Sequence, residues 1–132
     1  MEEKLSFDTT FLIDIQRELR GGRAGRARRF LERHSEGIML ISAVTVGEFA
    51  QGFADPDDSN LLSMLASVEI LDIDRETGLL YAAHARRLRE AGQLIGSNDL
   101  WIGCSALRHQ TPLVTRNPEH FRRIEGLQVL EY

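Results

Sequence analysis

Short runs of apolar residues, separated by stretches with helical spacing, constrain the fold of this chain most strongly. Residues 38–41 are Ile-Met-Leu-Ile, four apolar residues in a row, and residues 113–115 form a second short run directly after a proline. A continuous apolar run of this length is typical of a strand that is buried on both faces of a parallel sheet. The sequence therefore predicts an α/β fold with a parallel sheet at its centre.

Strands and helices are predicted to alternate along the whole chain. Further short strands are expected at residues 5–7, 68–71 and 127–130, which gives a mostly parallel sheet of four to five strands. An arginine-rich second helix is expected over residues 24–36, where Gly37 closes it. Three residues are predicted helix N-caps: Ser42, Asp74 and Ser97.

The length of 132 residues predicts one domain, spanning residues 1–132. The single cysteine excludes an intrachain disulfide, which fits a reducing compartment. The polar start, Met-Glu-Glu-Lys, is unlike a signal peptide. No uncharged apolar run approaches the roughly 20 residues that a membrane span requires. We therefore expect a cytoplasmic protein without a membrane segment.

Charge is distributed unevenly along the chain. The net charge is −4, yet residues 17–33 contain seven arginines against two glutamates and so carry +5. The other 115 residues carry −9. One face of the protein is therefore expected to be basic and another acidic. The basic segment is suited to phosphate groups or to an acidic partner, and a solvated helix face is the plainer interpretation.

Acidic side chains recur where the predicted strands end. Asp8 follows the first strand, Glu48 lies on the helix after the second, Asp99 lies in the first turn of a later helix, and Asn117 follows the fourth strand. Several carboxylates in one cleft repel one another unless a cation neutralises them, and Mg²⁺ and Mn²⁺ prefer oxygen ligands. Each acid alone has an ordinary role in a turn, at a helix dipole or in solvent. Only their common placement favours a metal site.

Four segments resemble the sequence motifs of PIN-domain nucleases. They are FDTTFLID (residues 7–14), ISAVTVGE (41–48), IGSNDLWIGCSAL (95–107) and LVTRNPEHF (113–121). The resemblance covers nearly the whole chain and is greatest to the VapC branch, the toxins of bacterial or archaeal toxin–antitoxin pairs. It implies a PIN-like three-layer sandwich, in which helices flank a central sheet.

The resemblance further implies an endoribonuclease that uses Mg²⁺ or Mn²⁺ to cleave RNA phosphodiester bonds. Asp8, Glu48 and Asp99 match the acidic residues of these nucleases and are expected to bind the metal and carry catalysis. The fourth motif departs from the family pattern, and Asn117 and Glu119 are both candidates for the fourth position. The resemblance also implies a homodimer that is inhibited by a cognate antitoxin.

Polar neighbours of these acids are candidates for supporting roles. Thr9 and Thr115 are expected to orient the metal ligands, since residues behind a ligand commonly fix its direction. Arg116 is the first choice for a substrate contact, because its planar guanidinium matches phosphate oxygens. His120 is interpreted as a surface or packing residue rather than a general base. Trp101 is interpreted as a packing residue, with base stacking as the alternative.

Two other functions agree with parts of the sequence. A catalytically weak PIN-fold module that binds RNA or protein would explain the departure in the fourth motif, although the intact acidic triad weighs against it. A receiver-like or phosphatase enzyme would need a lysine on a later strand. The only lysine of this chain is Lys4, which precedes Asp8.

Overall fold

The computed structural model describes residues 3–132 as a five-stranded sheet with helices on both faces. The strands are β1 (Lys4–Phe7), β2 (Ile38–Ser42), β3 (Glu69–Leu71), β4 (Leu113–Thr115) and β5 (Val129–Glu131). They pair in the order β3-β2-β1-β4-β5, and every neighbouring pair is parallel. The predicted α/β class with a central parallel sheet is confirmed. Residues 1 and 2, which belong to the polar start discussed above, lie outside the described residues.

Seven helices connect these strands in the described part of the chain. They are α1 (Thr9–Gly21), α2 (Arg26–Arg33), α3 (Ala43–Ala50), α4 (Ser59–Ala66), α5 (Arg75–Glu90), α6 (Ser97–Arg108) and α7 (Pro118–Phe121). The arginine-rich helix is shorter than predicted, and α7 is a single turn that the sequence pattern did not predict. Between residues 3 and 132, none of these helices has the length and apolarity needed to cross a membrane.

Two apolar clusters, one on each face of the sheet, explain the continuous apolar runs. In β4, Val114 packs into the cluster that contains Phe11 and Phe30, whereas Leu113 packs into the cluster that contains Leu100. Successive side chains of a strand point to opposite faces, so a strand covered on both sides needs apolar residues at every position. Full burial of a side chain of this size contributes about 1.5–3 kcal/mol. The sheet is therefore held between two helical layers.

Helices α1, α3 and α5 each begin with an N-terminus that is capped by the side chain of the preceding residue. Asp8, Ser42 and Asp74 each accept a backbone N–H bond from the residue three positions later, at 3.2, 3.1 and 2.8 Å. These contacts satisfy donors that a helix N-terminus otherwise leaves unpaired. The predicted cap at Ser97 is wrong, because α6 begins one residue earlier than expected: Gly96 is its N-cap and Ser97 its first residue.

The strand order places the ends of β1 and β4 side by side. The chain proceeds from β1 to β2 and β3 on one side of β1, whereas β4 and β5 lie on its other side. Ligands of open parallel sheets gather beyond the carboxyl ends of the strands at the point where the order reverses. Asp8 follows β1 and Thr115 ends β4, so both residues lie at this point.

Glu18 of α1 fixes the start of the arginine-rich helix α2. Its carboxylate accepts backbone N–H bonds from Gly25 (2.6 Å), Arg28 (3.0 Å) and Ala27 (3.1 Å). Partial burial raises the pKa of Glu18, but these three donors outweigh that effect and lower the pKa overall. A Cβ atom at Gly25 would lie 2.8 Å from the Glu18 carboxyl group, so a larger residue there would displace this carboxylate from its position.

Replacing Glu18 by Ala is expected to lower the free energy of unfolding by about 1–2 kcal/mol at neutral pH, the usual contribution of a helix cap. The contribution is present above the ordinary carboxyl pKa of 4.5 and is lost as the pH falls through the lowered folded-state pKa. Urea unfolding measures both effects, with Glu32→Ala, an exposed glutamate of α2, as the control. Equal losses in the two variants would contradict the capping role.

Candidate active site

An acidic cleft of about 300 Å³ lies at the carboxyl edge of the sheet. Asp8 enters it from the end of β1, Glu48 from α3 and Asp99 from α6. The remaining lining residues are Thr9, Thr10, Ile13, Gln51 and Ile102. Three acids that are far apart in the sequence are thus brought together, as the strand-end pattern predicted.

Asp8 is the most deeply buried of the three acids, with 4% of its surface exposed. Its Oδ1 accepts bonds from the Thr10 hydroxyl (2.7 Å) and the Phe11 N–H (3.2 Å), and its Oδ2 accepts one from the Thr115 hydroxyl (2.5 Å). Burial raises the pKa of Asp8, the three donors act against the rise, and the Asp99 carboxylate adds to it. A carboxylate has about four acceptor positions, so about one remains for a ligand in the cleft.

Glu48 reaches from α3 to the first turns of two other helices. Its Oε1 accepts a bond from the Thr9 hydroxyl at 2.6 Å, and its Oε2 accepts one from the Asn98 side-chain amide at 3.1 Å. Sequence reasoning missed Asn98. Its position directly before Asp99 in the first turn of α6 was the available signal. Both carboxylate oxygens of Glu48 are therefore held in place from opposite sides.

Asp99 is more accessible than Asp8, with 40% of its side chain exposed. Burial raises its pKa, the Glu48 carboxylate raises it further, and His120 opposes the rise. The His120 Nδ1 lies 3.9 Å from the Asp99 Oδ2, and its side chain is 53% exposed. His120 is thus a surface residue, as expected, but it stands beside an acid of the cleft.

The residues of the fourth motif differ in whether they contact the acidic cleft. The Asn117 N–H donates to the Thr115 hydroxyl (3.0 Å), which in turn donates to Asp8. Glu119 is 86% exposed and forms an ion pair with Arg123 at 3.8 Å. Arg116 pairs with Asp14 instead of lining the cleft. Thr115 therefore contacts an acid of the cleft directly, whereas the side chains of Asn117 and Glu119 are not part of its lining.

Trp101 stacks on the ring of Tyr81, with the ring centroids 3.9 Å apart and the planes 18° from parallel. It does not line the cleft. This contact supports the interpretation of Trp101 as a packing residue.

The chemistry of the cleft suits a divalent cation. Its donors are carboxylate and hydroxyl oxygens, and burial raises the pKa values of Asp8 and Asp99, an effect that a bound cation would oppose. Within residues 3–132, no three acidic, histidine or cysteine groups are close enough to enclose an ion on their own. Mg²⁺ is commonly held by one or two carboxylates and several water molecules, so this donor set fits it.

Replacing Asp99 by Asn is expected to stabilise the metal-free protein at neutral pH, because the change removes a charge that burial and Glu48 disfavour. The folded-state pKa of Asp99 lies above the ordinary value of 3.8, so the contribution of Asp99 to stability is fully present below pH 3.8 and is lost as the pH rises through the raised pKa. The advantage of Asn should therefore shrink on acidification. Urea unfolding in EDTA measures it, and Asp57→Asn, an exposed acid, is the control. A constant difference at all pH values would contradict the prediction.

Known proteins match this chain over almost its full length. The family model for the PIN domain matches residues 6–127. Ribonuclease VapC1 of Methanocaldococcus jannaschii is 32% identical over 133 residues, which cover 98% of this chain and 89% of that protein.

Solved structures share the same fold. The structure of VapBC-1 from nontypeable Haemophilus influenzae contains a chain with a TM-score of 0.79 and 28% identity, and the match covers 97% of each chain. VapBC2 of Rickettsia felis, bound to a DNA fragment from its promoter, gives a TM-score of 0.81 at 22% identity over 98% of each chain. A toxin–antitoxin complex from Klebsiella pneumoniae gives 0.71 at 24% identity, over 96% of this chain and 95% of that chain. The acidic cleft, the fold and these matches together show that the chain belongs to the PIN domain family, in the branch that contains the VapC ribonucleases.

Proposed function

We propose that this chain is an endoribonuclease that cleaves RNA phosphodiester bonds with Mg²⁺ or Mn²⁺, and that it acts as the toxin of a toxin–antitoxin pair. The observation that carries the proposal is the convergence of Asp8, Glu48 and Asp99 in one cleft. The family membership of the chain supports the same activity, since a relative that it matches over 89% of that protein's length is named a ribonuclease. We place the activity in the cytoplasm, in keeping with the single, buried cysteine.

Asp8 and Asp99 would hold the cation, with Glu48 close by, directly or through water, and the bound cation would supply an activated water and stabilise charge on the phosphate. The chain's own contribution is to keep these carboxylates in place before substrate arrives. Thr115 and Thr10 fix Asp8 by hydrogen bonds, and paired donors likewise fix Glu48. Such fixed groups need no reorganisation during the reaction.

No covalent nucleophile is needed in this proposal. Phosphoryl transfer depends mainly on positioning and on electrostatic stabilisation. Burial raises the pKa of the Cys104 thiol to about 11, so the thiolate is scarce at neutral pH. Cys104 belongs to the apolar cluster between the sheet and α6, which gives it a packing role.

RNA binding requires positive charge beside the acidic cleft, because the acids alone repel phosphate. Arg116 follows Thr115 directly, and Thr115 contacts Asp8, so Arg116 is our proposed substrate-binding residue. The arginines of residues 17–33 are the second proposed source of charge. Asn117 is the proposed fourth position of the site, since its N–H joins the bonds that hold Asp8.

Replacing Asp8 or Asp99 by Ala is expected to reduce metal-dependent RNA cleavage by at least about a hundredfold, the usual effect of removing a group that stabilises transition-state charge. Purified protein is incubated with total RNA in Mg²⁺, in Mn²⁺ or in EDTA. Asp57→Ala, an exposed acid away from the cleft, is the control and should keep full activity. Full activity of Asp99→Ala would overturn the site. RNA or protein binding without any cleavage would instead favour the catalytically weak module.

The antitoxin is proposed to occupy an apolar groove of about 420 Å³ between α1, α2, α3 and α4. Leu19, Leu31 and Met64 supply apolar surface, and Leu19 is 60% exposed. Arg20 lines the same groove and belongs to the segment that carries +5. This chemistry fits a partner segment that presents apolar side chains flanked by acids.

The groove and the acidic cleft share two helices. Ile13 lines the cleft and Ile15 the groove, and on α3 Glu48 lines the cleft while Phe49 lines the groove. An occupant of the groove therefore lies next to the proposed catalytic residues. A homodimer is the other proposed assembly, which the resemblance to VapC toxins implies.

Replacing Leu19 by Asp is expected to weaken binding of the antitoxin at least about tenfold, because it places a charge in an apolar contact and opposes the acids of the partner. The binding partner in the assay is the small protein encoded by the neighbouring reading frame, and calorimetry gives the affinity. RNA cleavage by the variant should stay unchanged. Ile70→Asp, on the edge strand β3 and 42% exposed, is the matched control. Equal affinities of the two variants would refute the groove as the docking surface.

A further inference from the structure

We propose that Asp14 and Tyr132 are positioning residues that hold the Arg116 guanidinium ready to bind an RNA phosphate. The inference rests on the proposed ribonuclease function and adds to it the origin of the substrate-binding geometry. It assigns a role to a partly buried acid, Asp14, and a buried phenol, Tyr132, that lie outside the acidic cleft.

Asp14 joins the other two residues. The Arg116 Nη1 lies 3.0 Å from both carboxylate oxygens of Asp14, and the Tyr132 hydroxyl donates to its Oδ2 at 2.7 Å. The Asp14 side chain is only 13% exposed, whereas that of Arg116 is 40% exposed. Asp14 therefore anchors one nitrogen of a guanidinium whose side chain is partly exposed to solvent.

Tyr132 is itself firmly placed. Its N–H donates to the Thr115 carbonyl at 3.4 Å, and its ring packs edge-on against Phe11, with the centroids 4.9 Å apart and the planes at 81°. Burial raises the pKa of the Tyr132 phenol, and its bond to Asp14 raises it further, so the hydroxyl remains a donor at neutral pH. The Asp14 carboxylate is thereby held from the sheet side as well as from α1.

Arg116 and Asp14 are chain neighbours of residues at the cleft. Arg116 follows Thr115, which donates to Asp8, and Asp14 follows Ile13, which lines the cleft. Within residues 3–132, the hydrogen bonds of Arg116 use Nη1 only, so Nε and Nη2 remain for a ligand. These two nitrogens form the edge of a guanidinium that binds two phosphate oxygens at once.

The negative charge of Asp14 allows a positioning role to be distinguished from a purely electrostatic effect on RNA binding. An acid beside a phosphate-binding arginine opposes RNA binding by Coulomb repulsion. Holding the guanidinium in one orientation favours RNA binding, because less side-chain freedom is lost when the phosphate arrives. Removing the Asp14 charge therefore gives opposite results under the two accounts: tighter binding if only charge matters, and weaker binding if positioning dominates.

The test is a double-mutant cycle on RNA binding in EDTA, which prevents cleavage by a metal-dependent enzyme. Fluorescence anisotropy with a labelled single-stranded RNA of mixed sequence gives Kd for the wild type, Asp14→Asn, Tyr132→Phe, Arg116→Ala and the two double variants that include Arg116→Ala. Arg122→Ala, which changes an exposed arginine that takes no part in the Asp14–Tyr132–Arg116 contacts, is the matched control. Urea unfolding of each variant measures stability separately.

We expect Arg116→Ala to raise Kd on the order of tenfold, as the loss of a charged hydrogen bond does, and to reduce the salt dependence by about one phosphate contact. Asp14→Asn and Tyr132→Phe should each raise Kd roughly threefold or more, and should have no further effect in the Arg116→Ala background. Arg122→Ala should change Kd less than Arg116→Ala.

An unchanged or lower Kd for Asp14→Asn would overturn the inference. So would effects of Asp14→Asn and Tyr132→Phe that persist without Arg116, or variants that lose stability while Kd stays constant. Failure of the wild type to cleave RNA with Mg²⁺ or Mn²⁺ would overturn the proposed function instead, since the cycle is scored on binding alone. The two failures are therefore distinguishable.

Discussion

The hydrogen bond between Thr115 and Asp8 is the contact on which the rest of the site depends. It joins the ends of β1 and β4, two strands that are neighbours in the sheet but are separated by most of the chain. The same carboxylate caps α1, so a single buried acid fixes two strands and a helix relative to one another. Removing a buried carboxylate from water is costly, and the three donors offset part of that cost. The folded protein therefore still carries part of the cost of burying this carboxylate, as the raised pKa of Asp8 indicates.

Negative and positive charge are kept apart by the way the first two helices are built. The acids lie where α1, α3 and α6 begin or pass the sheet edge, whereas four of the seven arginines of residues 17–33 lie on α2. Glu18 holds the start of α2 against α1, so the basic helix has a fixed position relative to the acidic cleft. A net charge of −4 therefore conceals a surface that is suited to phosphate on one side and to cations on another.

Sequence reasoning predicted the features that depend on local pattern. Apolar runs located the buried strands, because a strand covered on both faces requires apolar side chains at each position. The strand-end rule then brought Asp8, Glu48 and Asp99 to one edge. Sequence reasoning could not predict the contacts of Asn98 with Glu48 or of Asp14 with Arg116, because these contacts depend on the directions of side chains on elements that pack together. The helix cap at Ser97 failed for the opposite reason: a favourable residue type decides nothing when the backbone turns one residue earlier.

The sharing of α1 and α3 between the groove and the cleft restricts how this protein can diverge. Neighbouring positions on the same two helices face the two surfaces, as Ile13 and Ile15 do on α1. A shift of either helix that suits a different occupant of the groove would also displace Glu48 or the helix that Asp8 caps. New partner preferences must therefore arise by exchanging side chains on an immobile framework. Paralogous copies in one genome would be expected to differ in groove residues while their helix positions coincide.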